Sequence, residues 1–245
     1  MSRIIHLSVL AAGLLAAAPV TQAYEAGDFM VRAGAAHVNP NDSSSDLTLE
    51  GVGSLPGARV GVDSNTQLGI TATYMLTSNI GVGVLGATPF QHDIDGAGTL
   101  DGAGKLAETK HLPPTLTLQY FPLDSGSRIQ PYAGIGVNYT HFFEEKTTAT
   151  LTTAVDGVAQ DVLGTAPGTI NGTDLDLDAS VGVALELGVD WMVSEHFGLN
   201  AALWYADIST DATITALADG AEAAKITTEV DIDPMVYMVG VMYKF

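Results

Sequence analysis

Apolar and polar residues alternate with a period of two along most of the chain, a pattern typical of half-buried β-strands. Eight segments carry this alternation, and each predicts one strand: Asp28–Val38, Thr66–Leu76, Asn79–Gln91, Lys110–Phe121, Gln130–Phe143, Asp174–Val193, His196–Thr210 and Ala224–Phe245. None of the segments shows a convincing helical period. The pattern therefore predicts an all-β protein.

The connections between these segments alternate strictly in length. The long ones are rich in Gly, Asp, Ser and Thr and cover residues 39–65, 92–109, 144–173 and 211–223. The short ones cover residues 77–78, 122–129 and 194–195. This alternation is typical of an up-and-down membrane barrel, which has long extracellular loops and short periplasmic turns. We therefore predict an eight-stranded antiparallel transmembrane β-barrel.

The alternation also separates two faces of each predicted strand. In the last segment, one parity from Met235 to Phe245 is continuously apolar, with aromatic residues towards both ends. Aromatic side chains gather at membrane interfaces. Five of them are predicted to form one periplasmic girdle: Tyr120, Trp191, Phe197, Tyr243 and Phe245. A terminal aromatic such as Phe245 resembles the signal by which outer-membrane barrels are recognised, so the barrel-assembly machinery is an expected partner.

The first residues have the layout of a secretory signal peptide. Arg3 precedes an apolar stretch from Leu7 to Ala18, and small residues end the segment at Ala23. We expect residues 1–23 to be removed and residues 24–245 to form a barrel in the outer membrane of a Gram-negative cell. The net charge of −19 argues against a nucleic-acid partner, and the absence of cysteine excludes disulfides.

The side chains of opposite parity face the lumen, which an eight-stranded barrel can fill with side chains. Five polar residues are predicted to form a plug in its periplasmic half: Arg32, Gln119, Glu186, Asp190 and Lys244. Buried charges need partners, so a mixed-sign cluster is the preferred interpretation. A proton or ion path is the alternative.

The extracellular half of the lumen is predicted to be apolar. Leu85 and Trp204, beside small Gly and Ala residues, are expected to form a constriction. Four further residues are expected to line this part of the lumen: Tyr132, Phe142, Met238 and Met242. A hydrophobic pocket open to the outside is the favoured interpretation, and a packed hydrophobic core is the alternative.

The stretch HLPPTLTLQYF places Pro113 and Pro114 at the head of an otherwise regular strand. Proline cannot donate to a sheet ladder, and successive N–H groups point to opposite neighbouring strands. Pro89 removes another donor on the preceding strand. These prolines predict a weakened ladder that opens laterally, although prolines at a barrel rim also simply end pairing.

Several stretches resemble the outer membrane protein W (OmpW) family, which includes AlkL-like barrels for alkane uptake. They are EAGDFMVRAG, NTQLGITATYMLTSNIGVGVLGATPFQHDI, HLPPTLTLQYF, QPYAGIGVNYTHFF, LNAALWYADIST and DPMVYMVGVMYKF. The resemblance implies a monomeric eight-stranded barrel through which small hydrophobic molecules cross the outer membrane. It also implies a hydrophobic channel closed towards the periplasm, whose two constricting residues match Leu85 and Trp204. The segment 144–173 departs from the family and leaves the choice of solute open.

The function expected from these features is passive uptake of small hydrophobic molecules, which leave sideways into the membrane. The expected partners are those solutes, outer-membrane lipid and lipopolysaccharide. A lipid A-modifying enzyme is a rival, since four histidines lie near the extracellular ends: His37, His92, His111 and His141. No G-x-S-x-G motif accompanies them, so no catalytic residue, cofactor or metal site is predicted.

A receptor or structural barrel is the third class, in which acidic loops bind external partners such as phage, host factors or cations. Asp174, Asp176 and Asp178 alternate and are expected to face the lumen near its mouth, where they could hold a cation weakly. No calcium-loop pattern surrounds them.

Overall fold

The computed structural model describes residues 24–245, so the predicted signal peptide lies outside the described residues. The strands and the helix of this part of the chain are β1 (Phe29–Asn39), β2 (Ser43–Ser44), β3 (Thr48–Leu49), β4 (Gly53–Ser54), β5 (Ala58–Val62), β6 (Asn65–Met75), β7 (Ile80–Ala87), β8 (Phe90–Gly98), β9 (Lys105–Leu112), β10 (Thr115–Tyr120), β11 (Ile129–Thr147), α1 (Ala149–Leu163), β12 (Gly172–Leu177), β13 (Ser180–Met192), β14 (Phe197–Ala206), β15 (Ser209–Ala218), β16 (Ala221–Asp231) and β17 (Met235–Lys244). Within residues 24–245, no helix combines the length and the apolar character needed to cross a membrane.

Eight of the strands close into an antiparallel barrel, as predicted. Their order around the wall is β10, β7, β6, β1, β17, β14, β13 and β11, and β11 pairs with β10 to complete the circle. Each wall strand therefore pairs with the wall strands that precede and follow it in the chain. The first wall strand, β1, pairs with the last, β17. Short connections join β6 to β7, β10 to β11 and β13 to β14 at the periplasmic end.

Five of the eight predicted strands are each divided into two strands by a break. Three breaks contain prolines, which cannot donate to the ladder: Pro89 between β7 and β8, Pro113–Pro114 between β9 and β10, and Pro234 between β16 and β17. The other two fall at residues 178–179 and 207–208. Beyond the breaks, the chain leaves the barrel wall and continues as an extracellular extension.

The extracellular extension consists of two sheets. One sheet contains β5, β8, β9 and the last residues of β11, and the other contains β12, β15, β16 and the short strands β2, β3 and β4. The long extracellular connections predicted at residues 39–65, 92–109 and 211–223 therefore contain strands of their own. These connections are polar and glycine-rich although they form hairpins, because each of their strands has one face towards solvent.

The fourth long connection contains α1, a helix that the alternation pattern does not predict. The Thr148 hydroxyl accepts a hydrogen bond from the Leu151 amide, and Gly164 ends the helix with a φ of 71°. Leu151, Val155 and Ala159 are spaced by four residues and are buried. That spacing between a Thr cap and a Gly cap is a helical signal, hidden here by the Thr- and Ala-rich composition.

The outer face of the barrel wall is apolar. Every second side chain of the wall strands points outwards, and many are largely exposed, including Val181 at 70% and Val239 at 68%. At the periplasmic end, the Phe197 and Phe245 rings lie 4.9 Å and 4.7 Å from the Tyr243 ring, with centroids as the reference points. Such a belt on a water-soluble protein would cause association, whereas in a bilayer it faces lipid tails.

Candidate functional site

A buried ion pair forms the centre of a polar plug in the lumen. Arg32 on β1 and Asp190 on β13 are fully buried, and their side chains meet at 2.5 Å (Nη2 to Oδ2) and 2.9 Å (Nε to Oδ1). Tyr24 Oη donates to Asp190 at 2.6 Å, and Asn200 Nδ2 donates to it at 2.8 Å. Because the carboxylate accepts several hydrogen bonds, the cost of burying it is offset.

The plug continues from Arg32 across the barrel through side chains of β6, β10 and β13. Arg32 Nη1 donates to Thr73 Oγ1 at 2.8 Å, and the Thr73 hydroxyl donates to Gln119 Oε1 at 3.0 Å. Gln119 Nε2 donates to Glu186 Oε2 at 2.7 Å, and Thr117 donates to the same oxygen at 3.2 Å. The polar plug, defined as these residues with Asp190, Tyr24 and Asn200, links five wall strands and closes the lumen.

Glycines on the lumen face make room for the plug. A Cβ atom at Gly83 would lie 2.4 Å from Gln119 Nε2, and one at Gly188 would lie 2.3 Å from Cζ of Tyr132. Both distances are shorter than van der Waals contact. The glycines that alternate with larger lumen residues are therefore places where plug side chains cross the barrel.

Tyr132 and Met242 lie nearer the periplasm than predicted. Lys244, predicted in the periplasmic half of the lumen, is at the periplasmic rim, where its Nζ lies 3.5 Å from Asp28 Oδ2. Tyr132 packs at the plug, with its ring centroid 5.0 Å from the Arg32 guanidinium carbon, and accepts a hydrogen bond from Asn200. Met242 belongs to an apolar floor below the plug, with Tyr24, Met30, Met75, Phe121, Tyr132 and Met192.

The expectation that Tyr132 and Met242 line the extracellular half was therefore wrong. Their lumen-facing parity is as expected, but β11 begins at Ile129 and β17 ends at Lys244, so both residues lie close to the periplasmic ends of their strands. Period two assigns a side chain to a face without giving its height in the barrel.

A small apolar cavity, the lower chamber, lies above the polar plug. Its wall includes Leu85, Trp204, Pro113 and Val236. Trp204 is paired across the ladder with the plug residue Glu186, so the plug is the chamber's floor. Leu85 and Trp204, predicted as the constriction, are buried and lie in this one wall.

A larger cavity, the upper chamber, lies between the two extracellular sheets and α1. Its cavity volume is about 60 Å³, and the surface that faces it is apolar. Phe142 and Leu151 belong to its wall. Four residues line both chambers and mark where they meet: Val38, His111, Ile208 and Pro234. Met238 is in neither wall and packs with Ala36, Val38 and Phe90.

A histidine pair lies where the chambers meet, on β8 and β9, outside the barrel wall. His92 Nε2 and His111 Nε2 are 3.0 Å apart, and His92 Nδ1 is hydrogen-bonded to the backbone carbonyl of Asp63. His111 lies between the rings of Phe90 and Phe142, at centroid distances of 5.5 Å and 5.9 Å. Burial lowers the pKa of His111 to about 3, and burial also lowers the pKa of His92. Both rings are therefore neutral at pH 7.

Acidification is expected to destabilise the fold through His111. The unfolded chain binds a proton near pH 6.5, whereas the folded protein binds it only near pH 3. Stability is therefore fully present above pH 6.5 and falls by about 1 kcal/mol per pH unit as the pH decreases towards 3. Urea unfolding at pH 7 and pH 5 measures this loss, and His111→Phe should reduce it. The exposed His141 provides the control, because His141→Phe should leave the loss unchanged.

The ladder beside the lower chamber is interrupted at the prolines. Pairing between β7 and β10 ends at Leu85 and Thr115, and pairing between β8 and β9 begins at Phe90 and His111. Between them, residues 86–89 lie opposite residues 112–114, and no backbone hydrogen bond joins these two stretches of the described chain. We call this interruption the ladder gap.

The other side of the proline pair is closed. The Tyr139 amide of β11 donates to the carbonyl of Pro114 at 3.0 Å, and β9 resumes pairing at Leu112 and His141. The prolines thus leave the ladder weakened on the side of β7 and β8, between the third and fourth predicted strands.

The features that would support the rival functions are arranged differently from expectation. Asp174, Asp176 and Asp178 are exposed, whereas Leu175 and Leu177 line the upper chamber, so the expected lumen-facing parity of the three aspartates was wrong. Residues 24–245 contain no cluster of three or more side chains suited to a metal ion. In the same part of the chain, neither His92 nor His111 is hydrogen-bonded to a serine hydroxyl.

A closed antiparallel barrel with an apolar outer belt, an aromatic girdle and a plugged lumen defines an integral outer-membrane β-barrel protein. The family model described as the OmpW family matches residues 25–245. Outer membrane protein W of Vibrio cholerae serotype O1 is 45% identical over 240 residues, covering 98% of this chain and 97% of its own. The chain therefore belongs to the OmpW family and is located in the outer membrane.

Two solved structures support the same assignment. The crystal structure of the outer membrane protein OprG from Pseudomonas aeruginosa superimposes with a TM-score of 0.78 at 45% identity, covering 91% of this chain and 98% of OprG. The solid-state NMR structure of outer membrane protein AlkL in DMPC bilayers has a TM-score of 0.64 at 25% identity, covering 91% of this chain and 92% of AlkL. Both are outer-membrane barrel proteins.

Proposed function

We propose that this barrel carries small hydrophobic molecules passively across the outer membrane. A solute passes from the extracellular side into the upper chamber, reaches the lower chamber between Leu85 and Trp204, and leaves sideways through the ladder gap into the membrane. The observation that carries this proposal is that two apolar chambers share a wall at His111 and end on the polar plug.

The physical need for such a path comes from the outer leaflet. The polar headgroups of lipopolysaccharide oppose the passage of apolar molecules. An apolar cavity does not, because transferring an apolar molecule into it is favourable. The plug offers the opposite environment, since a hydrocarbon there would separate Arg32 from Asp190. A solute in the lower chamber therefore has a more favourable route sideways than downwards.

The sideways route needs two wall strands to separate, and ladder hydrogen bonds oppose separation. Pro113 lines the lower chamber and borders the ladder gap, where such bonds are absent from the described residues. Pro89 and Pro114 border the same gap. This arrangement supports a lateral exit there more than it supports prolines that only end pairing at the rim, because pairing resumes beyond them at Phe90 and His111.

The proposed partners follow from the same route. They are the hydrophobic solutes, the outer-membrane lipid that receives them and the lipopolysaccharide around the barrel. We further propose that the barrel acts as a monomer, since its lower chamber lies within one chain. The C-terminal Phe245, exposed at the girdle, is proposed to be recognised by the barrel-assembly machinery.

Replacing both prolines of the fourth predicted strand tests the exit. Pro113→Val with Pro114→Thr supplies two donors, of which the one at position 113 faces the gap, so a ladder bond can form there and uptake of a labelled n-alkane by cells is expected to slow. Pro131→Val is the matched control: it supplies a donor on β11 near the periplasm, where Pro131 pairs with Val189. Unchanged uptake in the double variant would exclude lateral exit at the gap.

A further inference from the structure

Two residues of the lower chamber's wall each carry a buried nitrogen atom that makes no hydrogen bond within residues 24–245. They are Nε1 of Trp204 and Nδ1 of His111. Both residues line this chamber, and their exposed fractions are 3% and 6%. Nearly all buried polar atoms of native proteins have a hydrogen-bond partner, so these two nitrogen atoms beside one apolar cavity lack a partner that a bound molecule could supply.

The hydrogen-bonding role of each nitrogen follows from its chemistry. The indole N–H of Trp204 can only donate. For the histidines, the Asp63 carbonyl can only accept, so His92 Nδ1 carries a proton and neutral His92 has its lone pair on Nε2. His111 Nε2 must then donate to His92 Nε2, which leaves the lone pair of neutral His111 on Nδ1. The chamber therefore offers one donor and one acceptor.

The other polar groups of this wall already have partners. Asn138 Nδ2 donates to Thr115 Oγ1 at 2.9 Å and its Oδ1 accepts from Thr140 at 2.7 Å. The Thr115 hydroxyl donates to the carbonyl of Pro113 at 3.0 Å. The rest of the wall is apolar, including Leu85, Ala184, Ile208 and Val236.

We propose that the lower chamber selects hydrophobic molecules that carry a hydroxyl group, such as long-chain alcohols. The hydroxyl proton is donated to His111 Nδ1, its oxygen accepts from Trp204 Nε1–H, and the alkyl tail contacts the apolar wall. This inference deepens the proposed function and rests on it for the route by which the solute arrives. A hydroxyl satisfies both nitrogens, an ether oxygen satisfies only Trp204, and an alkane satisfies neither.

Three solutes with the same number of heavy atoms test the selection: decan-1-ol, methyl nonyl ether and undecane. Equilibrium binding of each labelled solute to the full barrel in lipid nanodiscs is measured, and binding to empty nanodiscs is subtracted. Affinity is expected to decrease from alcohol to ether to alkane, by about fivefold for each hydrogen bond lost.

Two substitutions remove one nitrogen function each and keep an aromatic ring. His111→Phe should bring the alcohol to the affinity of the ether, and Trp204→Phe should bring the ether to the affinity of the alkane. The controls make the same chemical changes outside the chamber: His141→Phe, at an exposed histidine, and Trp191→Phe, at the lipid-facing girdle, should keep the full order.

A measurement on the unmodified protein does not depend on the folding of any variant. In the ¹⁵N NMR spectrum of histidine-labelled barrel, the Nδ1 resonance of His111 should shift with decan-1-ol and stay in place with undecane.

The outcomes separate this inference from the proposed function. Equal affinities for the three solutes, or an Nδ1 resonance that ignores decan-1-ol, would overturn the selection even if cells take up all three. The expected order of affinities, with no faster uptake in cells that contain the barrel, would support the binding site and refute the transport role.

Discussion

Asp190→Ala is expected to lower the free energy of unfolding of the barrel by about 3–5 kcal/mol, the largest loss that any single substitution discussed here should produce. The substitution leaves the fully buried Arg32 without its carboxylate partner and removes the acceptor of hydrogen bonds from Tyr24 and Asn200. Urea unfolding of the purified barrel in detergent measures the difference between variant and wild type.

Two further variants show whether burial is the cause. The Arg59–Asp46 pair in the extracellular extension is also bonded at 2.9 Å but is exposed, so Asp46→Ala should produce no measurable change. The double variant Arg32→Met with Asp190→Leu removes both charges and should recover part of the lost stability. A loss for Asp190→Ala no larger than that for Asp46→Ala would mean that the plug contributes little to stability.

The barrel and much of the plug could be predicted because both depend on alternation within single strands. Period two assigns Arg32, Glu186 and Asp190 to the lumen, where buried charges have to meet. It does not say where a strand begins relative to the membrane, and for this reason Tyr132 and Met242 were expected too far towards the extracellular side.

The extracellular extension was not predictable in the same way, because each break in a strand interrupts the alternation. On β13 the lumen-facing residues have even numbers, as Glu186 does, whereas on β12 the inward residues are Leu175 and Leu177. The break at residues 178–179 shifts the parity by one, which turns Asp174 towards solvent. A prediction that continues the parity of β13 through the break into β12 therefore exchanges the inward-facing and solvent-facing residues.

The histidine pair depends on pairing between strands, which a single strand's pattern does not contain. His92 lies in a segment that was expected to be a loop. It meets His111 because β8 pairs with β9 in a register that places Phe90 opposite His111. The signal that remained in the sequence was proline: Pro89 and Pro113 mark where both strands leave the barrel wall together.

A thiol placed at the ladder gap is expected to make uptake sensitive to chemical modification. The chain contains no cysteine, so Gly86→Cys introduces a single thiol. A Cβ atom at Gly86 would meet no atom within 4 Å, so the substitution causes no clash, and its side chain shares the lipid-facing parity of Val84 at the outer side of the gap. Treatment with a bulky alkyl methanethiosulfonate should reduce n-alkane uptake to the level of cells without the barrel, and a reductant should restore it.

A thiol two residues away on the same strand is the control for the position of the modified side chain. Val84 faces lipid with 48% of its surface exposed, and it pairs with Leu116 in the intact part of the ladder. A reagent on Val84→Cys projects into lipid beside closed strands and should leave uptake unchanged. If modification at both positions has the same effect, the reagent acts on the membrane rather than on the gap. If modification at position 86 has no effect, solutes leave the lower chamber elsewhere, and Pro89, Pro113 and Pro114 only mark the rim where the extracellular sheets begin.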